Sequence, residues 1–135
     1  MEESLFNLIK AAILDQKSSI QVLDYFSTAE REEEYIAIGI SPASFLAPGV
    51  PFLTAALVVQ AGCNRQEVSL PAEKVRQNLA IVRDILAVNR KGTLLGASFS
   101  FDGIIPDGNP GTIGVGENDR FIVGEITYKI FATKQ

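Results

Sequence analysis

The side chains with the most evident capacity for chemistry lie in one glycine-rich stretch near the C-terminus. Asp102, Asp107, Glu117, Asn118 and Asp119 carry oxygen atoms of the kind that hard cations such as Ca²⁺ take as ligands. Their spacing does not match the calcium loop of an EF-hand. Side chains of these types also form turns by hydrogen-bonding to their own backbone. We therefore interpret all five as turn-forming residues and expect no bound metal.

The remaining sequence lacks the common catalytic groups. It contains no histidine, which removes the most frequent general base and metal ligand. Its one cysteine, Cys63, ends an apolar run, so we interpret it as a small buried residue rather than a nucleophile. The acidic run 30–34 has no apolar surroundings that would shift a carboxylate pKa, which favours a solvated turn. The sequence predicts a protein without catalytic residues or cofactors, and hence not an enzyme.

Composition and charge narrow the possible roles further. A length of 135 residues, with 47% hydrophobic and 21% charged residues, is typical of one globular domain, residues 1–135. The net charge of −4 gives little electrostatic support to nucleic-acid read-out. No apolar run has the length that a membrane span requires, so no membrane partner is expected. A lone cysteine forms no internal disulfide, which favours a cytoplasmic location.

Charge is unevenly distributed along the chain. Residues 1–34 hold eight acids and three bases, residues 35–91 hold three acids and six bases, and residues 92–135 hold five acids and three bases. Opposite patches of this kind could steer head-to-tail self-association. The alternative is a scattered, solvated surface charge with no such role.

Hydrophobic spacing predicts a two-layer α+β fold. Apolar residues recur at helical spacing in residues 3–17 and 71–90, and the second helix carries a stripe of Val75, Leu79, Val82 and Leu86. The predicted order is α-β-β-β-α-β-β, with two helices on one face of a mostly antiparallel sheet. Apolar and alternating runs predict the strands at 20–26, 35–40, 53–63, 94–101 and 121–131.

The connection between the last two predicted strands, residues 102–120, is long and glycine-rich. Its composition predicts a flexible loop, and ordering such a loop costs roughly 1–2 kcal/mol per residue. It nevertheless contains four apolar side chains, which either fold back onto the domain or dock on a neighbour. We predict that they contact another subunit or a partner: Ile104, Ile105, Ile113 and Val115.

The order of elements resembles that of the tail terminator proteins of long-tailed bacteriophages, the lambda-type minor tail protein U group. The resemblance spans nearly the whole chain and rests on the strands YIAIGI and LTAALVVQAGC, the helix PAEKVRQNLAIVRDILAVNR and the closing strand VGEITYKIFA. Two regions depart from it. Residues 41–51 are richer in proline, and the 102–120 loop is longer.

This resemblance implies a phage or prophage structural protein. Tail terminators assemble as a ring, commonly of six subunits, on the end of the tail tube. They cap the tube and join it to the head connector, so the implied partners are other copies of the chain, the tail tube protein and the connector. The implied location is the bacterial cytoplasm during assembly and then the virion tail.

Two other classes of function are open on the sequence. A secretion-chaperone-like dimeric binding domain has similar size, acidity and mixed helix–strand order, although such proteins usually end in a helix and this chain ends in a strand. An enzyme or small-ligand domain with an unrecognised carboxylate site is the second alternative, and the absence of histidine weighs against it.

Overall fold

A computed structural model of the chain describes residues 2–88, 99–107, 113–115 and 120–134. The predicted α+β class is confirmed: two helices lie on one face of a mostly antiparallel sheet. The elements are α1 (Glu2–Gln16), β1 (Gln21–Asp24), β2 (Glu34–Ile40), β3 (Ser44–Phe45), β4 (Phe52–Asn64), α2 (Pro71–Val88), β5 (Phe99–Pro106), β6 (Gly114–Val115) and β7 (Phe121–Lys134).

The sheet is built around two long strands. Strand order is β1-β2-β4-β7-β5, and every pairing is antiparallel except that of β1 with β2. The ladder between β4 and β7 runs without interruption from the pair Phe52–Thr133 to the pair Asn64–Phe121. Two further strands have only two residues each: β3 pairs with the start of β4, and β6 pairs with the start of β7.

Strand alternation explains why the helices cover one face only. In β4, Leu53, Ala55, Leu57 and Val59 are buried, while the residues between them are half-buried. The buried set faces α1, which contributes Leu5, Ile9 and Ile13, and α2, which contributes the predicted stripe. That stripe is confirmed, since all four of its residues are buried.

Helix α2 packs tightly against β7 at Gly124. A Cβ atom there would lie 2.9 Å from Val75 Cγ1 and 3.0 Å from Leu79 Cδ1. A larger residue would push the helix off the sheet, so glycine at this position sets the spacing between the two layers.

The other face of the sheet carries a small second cluster of apolar side chains. The nine residues from Tyr25 to Glu33, which join β1 to its parallel neighbour β2, contribute Tyr25 to a small second cluster. The Tyr25 hydroxyl donates a hydrogen bond of 2.7 Å to Glu125 Oε1 on β7. The second cluster contains Leu23, Tyr35 and Ala37, with Tyr25 and Phe121 packed against them.

The structure corrects the predicted loop 102–120. Strand β5 continues to Pro106, the backbone N–H of Asp107 bonds to the Thr127 carbonyl at 2.8 Å, and β6 pairs with β7. A bulge at Asp102 breaks the register of β5, and the Thr133 hydroxyl bonds to the Asp102 carboxylate. Parts of this loop, the predicted strand residues 94–98 and the predicted helix residues 89–90 lie outside the described residues. The proline-rich region 41–51 contains the two-residue strand β3.

Leu70 is held in an unfavourable backbone conformation at the start of α2. Its φ of 53° is in the left-handed region, and it is the one positive-φ residue other than glycine in the part of the chain that the structure describes. Its carbonyl accepts the first helical hydrogen bond, from the N–H of Lys74 at 3.2 Å. The side chain is 73% exposed, so no packing offsets this strain.

Leu70→Gly is therefore expected to stabilise the folded chain by about 0.5–1 kcal/mol, because glycine adopts this conformation without steric cost. Urea unfolding followed by circular dichroism measures the change. The matched control is Leu70→Ala, which removes the exposed side chain and keeps the strain, and should give no such gain. An equal gain from both substitutions would show that strain at this residue is unimportant.

Candidate functional site

The hairpin formed by β3 and β4 carries a concentrated set of exposed apolar side chains. Phe45 is 52% exposed, Leu46 57% and Phe52 49%, and no charged residue occurs between Ser41 and Leu53. Exposed apolar groups that lie together mark contact surfaces far more often than isolated ones do. We call this part of the molecule, residues 44–52 with Lys134, the hairpin end.

Local hydrogen bonds fix the shape of the hairpin. The N–H of Leu46 bonds to the Phe52 carbonyl at 2.9 Å, and the N–H of Val50 bonds to the Ala47 carbonyl at 3.3 Å. Between them, Pro48 and Gly49 (φ 79°) occupy the positions that a type II turn reserves for proline and glycine. Proline and glycine adopt these backbone angles without strain, so the turn forms from local interactions alone.

Lys134 joins the C-terminal strand to this hairpin. Its N–H bonds to the Pro51 carbonyl at 2.8 Å, and its ammonium nitrogen lies 6.0 Å from the centre of the Phe45 ring. The contact places a positive charge beside an exposed aromatic ring. The hairpin end is therefore apolar with one cationic margin.

The four contact residues predicted from the sequence divide into two pairs. Ile104 and Ile113 are half-buried and pack against the main core, so they fold back onto the domain. Ile105 and Val115 are 52% and 53% exposed. Ile105 lies opposite Lys129, inside β7, whereas Val115 lies opposite Ile122 at the start of that strand. The structure does not bring the four residues together into one patch.

An acidic cleft lies at the end of β4 remote from the hairpin. Its volume is about 730 Å³. Five glutamates and two arginines line it, so its charge is predominantly negative. Together with Leu70, which follows the cleft-lining Glu67 by three residues along the chain, we call this region the acidic end. The cleft is lined by Ser19, Glu30, Arg31, Glu32, Glu33, Glu34, Asn64, Glu67 and Arg120.

Two side chains hold the acidic segment in place. Gln21 donates to the Glu30 carbonyl at 3.1 Å and accepts from the N–H of Glu32 at 2.8 Å. Arg31 donates from Nη1 to the carbonyls of Ser27 and Ala29, both at 2.9 Å, and its guanidinium lies 5.5 Å from the Tyr35 ring centre. Because Arg31 is occupied by its own loop, it neutralises the neighbouring carboxylates only in part.

A polar cluster beneath the cleft connects both helices to the sheet. Lys17, which directly follows α1, forms an ion pair with Glu34 of β2 and donates to Asn78 Oδ1 of α2 at 3.1 Å. Asn78 is fully buried and donates back to Glu34 Oε1 at 2.7 Å. Each of the three side chains forms hydrogen bonds with the other two. Such pairing removes most of the free-energy cost of burying polar groups.

The electrostatics of this cluster affect Glu34 and Cys63 in opposite directions. Burial acts to raise the pKa of Glu34, but hydrogen bonds from Lys17 and Asn78 and nearby positive charges outweigh it, so this pKa is lowered. Burial, reinforced by the Glu34 charge, raises the pKa of Cys63 to about 11. The thiol is therefore protonated at neutral pH, and its predicted burial is confirmed.

The described residues assemble no recognisable catalytic or metal centre. Within 2–88, 99–107, 113–115 and 120–134, no group of three or more Cys, Asp or Glu side chains is placed to hold a metal ion. Asp102 is occupied by Thr133, Asp107 is exposed, and residues 117–119 lie outside this description. No helix of the described part is long and apolar enough to cross a membrane.

Sequence reasoning missed the hairpin end. Its prolines and Gly49 are typical of a loop, and a loop composition gives no indication of which side chains lie exposed together. The available clue was the presence of three large apolar residues, Phe45, Leu46 and Phe52, in a stretch without charge.

Comparison with known proteins finds similar folds among solved structures. No family model and no curated protein matches the chain. One similar structure is a chain of the virion of a native gene transfer agent particle. Its TM-score is 0.53 at 9% sequence identity, and the match covers 93% of this chain and 94% of that one. A second, without a descriptive name, has a TM-score of 0.53 at 15% identity and covers 96% and 94%. At these identities the likeness concerns the fold.

Glu34→Gln is expected to destabilise the fold at pH 7 by about 1–2 kcal/mol, because Lys17 and Asn78 lose a charged acceptor. The lowered pKa means that the stabilisation is complete above the unfolded-state pKa of this carboxyl group. It is lost as the pH falls through the folded-state value. Urea unfolding between pH 7 and pH 2 should show the two proteins converging at the acid end. The control, Glu33→Gln, removes the charge of an exposed neighbour and should change stability little. A stability difference between Glu34→Gln and the wild-type chain that persists undiminished in acid would contradict the linkage.

Proposed function

We propose that this chain is a phage or prophage tail structural protein that caps the tail tube and joins it to the head, acting through ring assembly. The observation that carries the proposal is the nearly end-to-end fold similarity to a chain of a gene transfer agent virion. Coverage above nine-tenths of both chains means that the whole architecture is shared, rather than one common supersecondary motif.

The chemistry of the described residues supports a structural role without catalysis. The candidate nucleophile Cys63 is buried and protonated, and the buried polar cluster satisfies its own hydrogen bonds. The surface, by contrast, exposes large apolar side chains at the hairpin and at Ile105 and Val115. Surfaces of this kind suit contact with other proteins.

The proposed partners are further copies of the chain, the tail tube protein and the head connector. A closed ring requires heterologous contacts, in which two different patches of each subunit meet. Ile105 and Val115 lie far apart along β7, so they are placed to serve separate contacts with a neighbouring subunit or the tube. Nucleic-acid read-out has no part in the proposal, in keeping with the net charge of −4.

The test is particle mass by multi-angle light scattering over a wide concentration range, with negative-stain imaging of the largest species and of its mixture with purified tail tubes. We expect ring-shaped oligomers, with six subunits as the leading expectation, and density at one end of the tubes.

A stable dimer at every concentration, with bare tube ends, would reject this function and favour the secretion-chaperone-like alternative. A monomer that neither self-associates nor binds tubes would reject both. A monomer that assembles only on tube ends would retain the capping function and restrict ring formation to the tube.

A further inference from the structure

The two ends of strand β4 differ in chemistry. β4 has 13 residues, which corresponds to roughly 40 Å of extended chain. The hairpin end precedes its first residue, and the acidic end surrounds its last, Asn64. The surfaces therefore face away from each other along the long axis of the sheet. One protomer cannot bring its own two surfaces together, but two protomers can.

Each end combines an apolar projection with charged side chains, which at the acidic end are predominantly negative. The hairpin end also has a carboxylate nearby, since Asp102 is bonded to Thr133, the residue before Lys134. At the hairpin end, Phe45 and Leu46 are more than half exposed, and Lys134 lies beside the Phe45 ring. At the acidic end, the glutamates of the cleft line a predominantly negative surface. Leu70, three residues beyond the cleft-lining Glu67, is 73% exposed. The ends are thus complementary in charge and alike in offering apolar contact area.

The conformation of Leu70 is a second indication that the acidic end makes a contact. A leucine that is exposed and strained contributes little to the stability of the isolated fold. Backbone strain of this type clusters at functional positions, where the surrounding structure maintains it. The arrangement is explained if Leu70 is buried by another molecule.

We propose that the hairpin end of one copy docks on the acidic end of a second copy. Phe45 and Leu46 pack against Leu70, and Lys134 pairs with the carboxylates at the margin of the cleft. The contact is heterologous, so its repetition closes a ring or extends a filament. This inference rests on the proposed self-assembly and names the two surfaces that carry it.

The test uses two variants, each with one altered end. The hairpin variant combines Phe45→Ser with Leu46→Ser, and the acidic-end variant combines Leu70→Gly with Glu32→Lys. Each variant alone retains only one competent surface and should sediment as a monomer where the wild-type chain is oligomeric. Mixed in equal amounts, they should form a one-to-one dimer that grows no further, because the intact hairpin of one meets the intact acidic end of the other.

The outcomes separate this inference from the proposed function. If the wild-type chain forms rings and either variant alone does so too, these surfaces are not the interface, while ring assembly stands. If either variant alone forms a stable dimer, the contact is isologous and the head-to-tail arrangement is wrong. A mixture that stays monomeric would also overturn it. If the wild-type chain neither self-associates nor assembles on tubes, both proposals fail.

Controls distinguish lost contacts from lost folding. Phe26→Ser removes an aromatic side chain that is 78% exposed near Gly39, away from both ends, and should leave assembly unchanged.

Leu70→Gly alone should raise unfolding stability while weakening self-association about tenfold, a combination that misfolding cannot produce. Leu46→Ser alone replaces the double variant if that variant unfolds. Stronger assembly at low salt than at high salt is expected, because charge pairs at a contact margin are screened.

Discussion

The uninterrupted pairing of β4 with β7 is the constraint on which the rest of the molecule depends. Over residues 53–60 of β4, side-chain alternation sends one set of residues towards the helices and leaves the other set half-buried. Both strands are longer than their neighbours, so each has room for two shorter strands on its outer edge. β2 and β3 pair with β4, and β5 and β6 pair with β7. The ladder also determines where the two chemically distinct ends lie, and so links the core of the fold to its surface.

Both ends are shaped by bonds internal to the monomer. A proline–glycine turn and backbone hydrogen bonds hold the hairpin, and side-chain bonds from Gln21 and Arg31 hold the acidic segment. A surface that is already ordered loses little conformational entropy when it docks, so more of its contact energy is available for association. The Lys17–Glu34–Asn78 cluster extends this order inward, because it ties the acidic segment to both helices.

Several elements were predictable because their signals are local. The stripe in α2 specifies both the helix and its buried face, and the structure confirms both. The apolar run 53–63 predicts a strand, which the structure confirms as β4. The 102–120 region was mispredicted at its start since pairing with β7, a long-range interaction, extends β5 through Gly103 and Pro106 against their propensities. The same limit applies to sites. Spacing along the chain gives no indication that Lys17, Glu34 and Asn78 meet, or that Ile104 faces the core while Ile105 faces outward.

The bulge at Asp102 and the proline that ends β5 have a consequence for the chain at high concentration. An exposed outer strand is a template on which another chain can add by backbone hydrogen bonding, which leads towards fibrils. Asp102 interrupts that template, and Pro106 lacks the N–H that a further strand would need. Both features make strand addition along β5 less favourable, so this edge is a poor template for association through backbone hydrogen bonds.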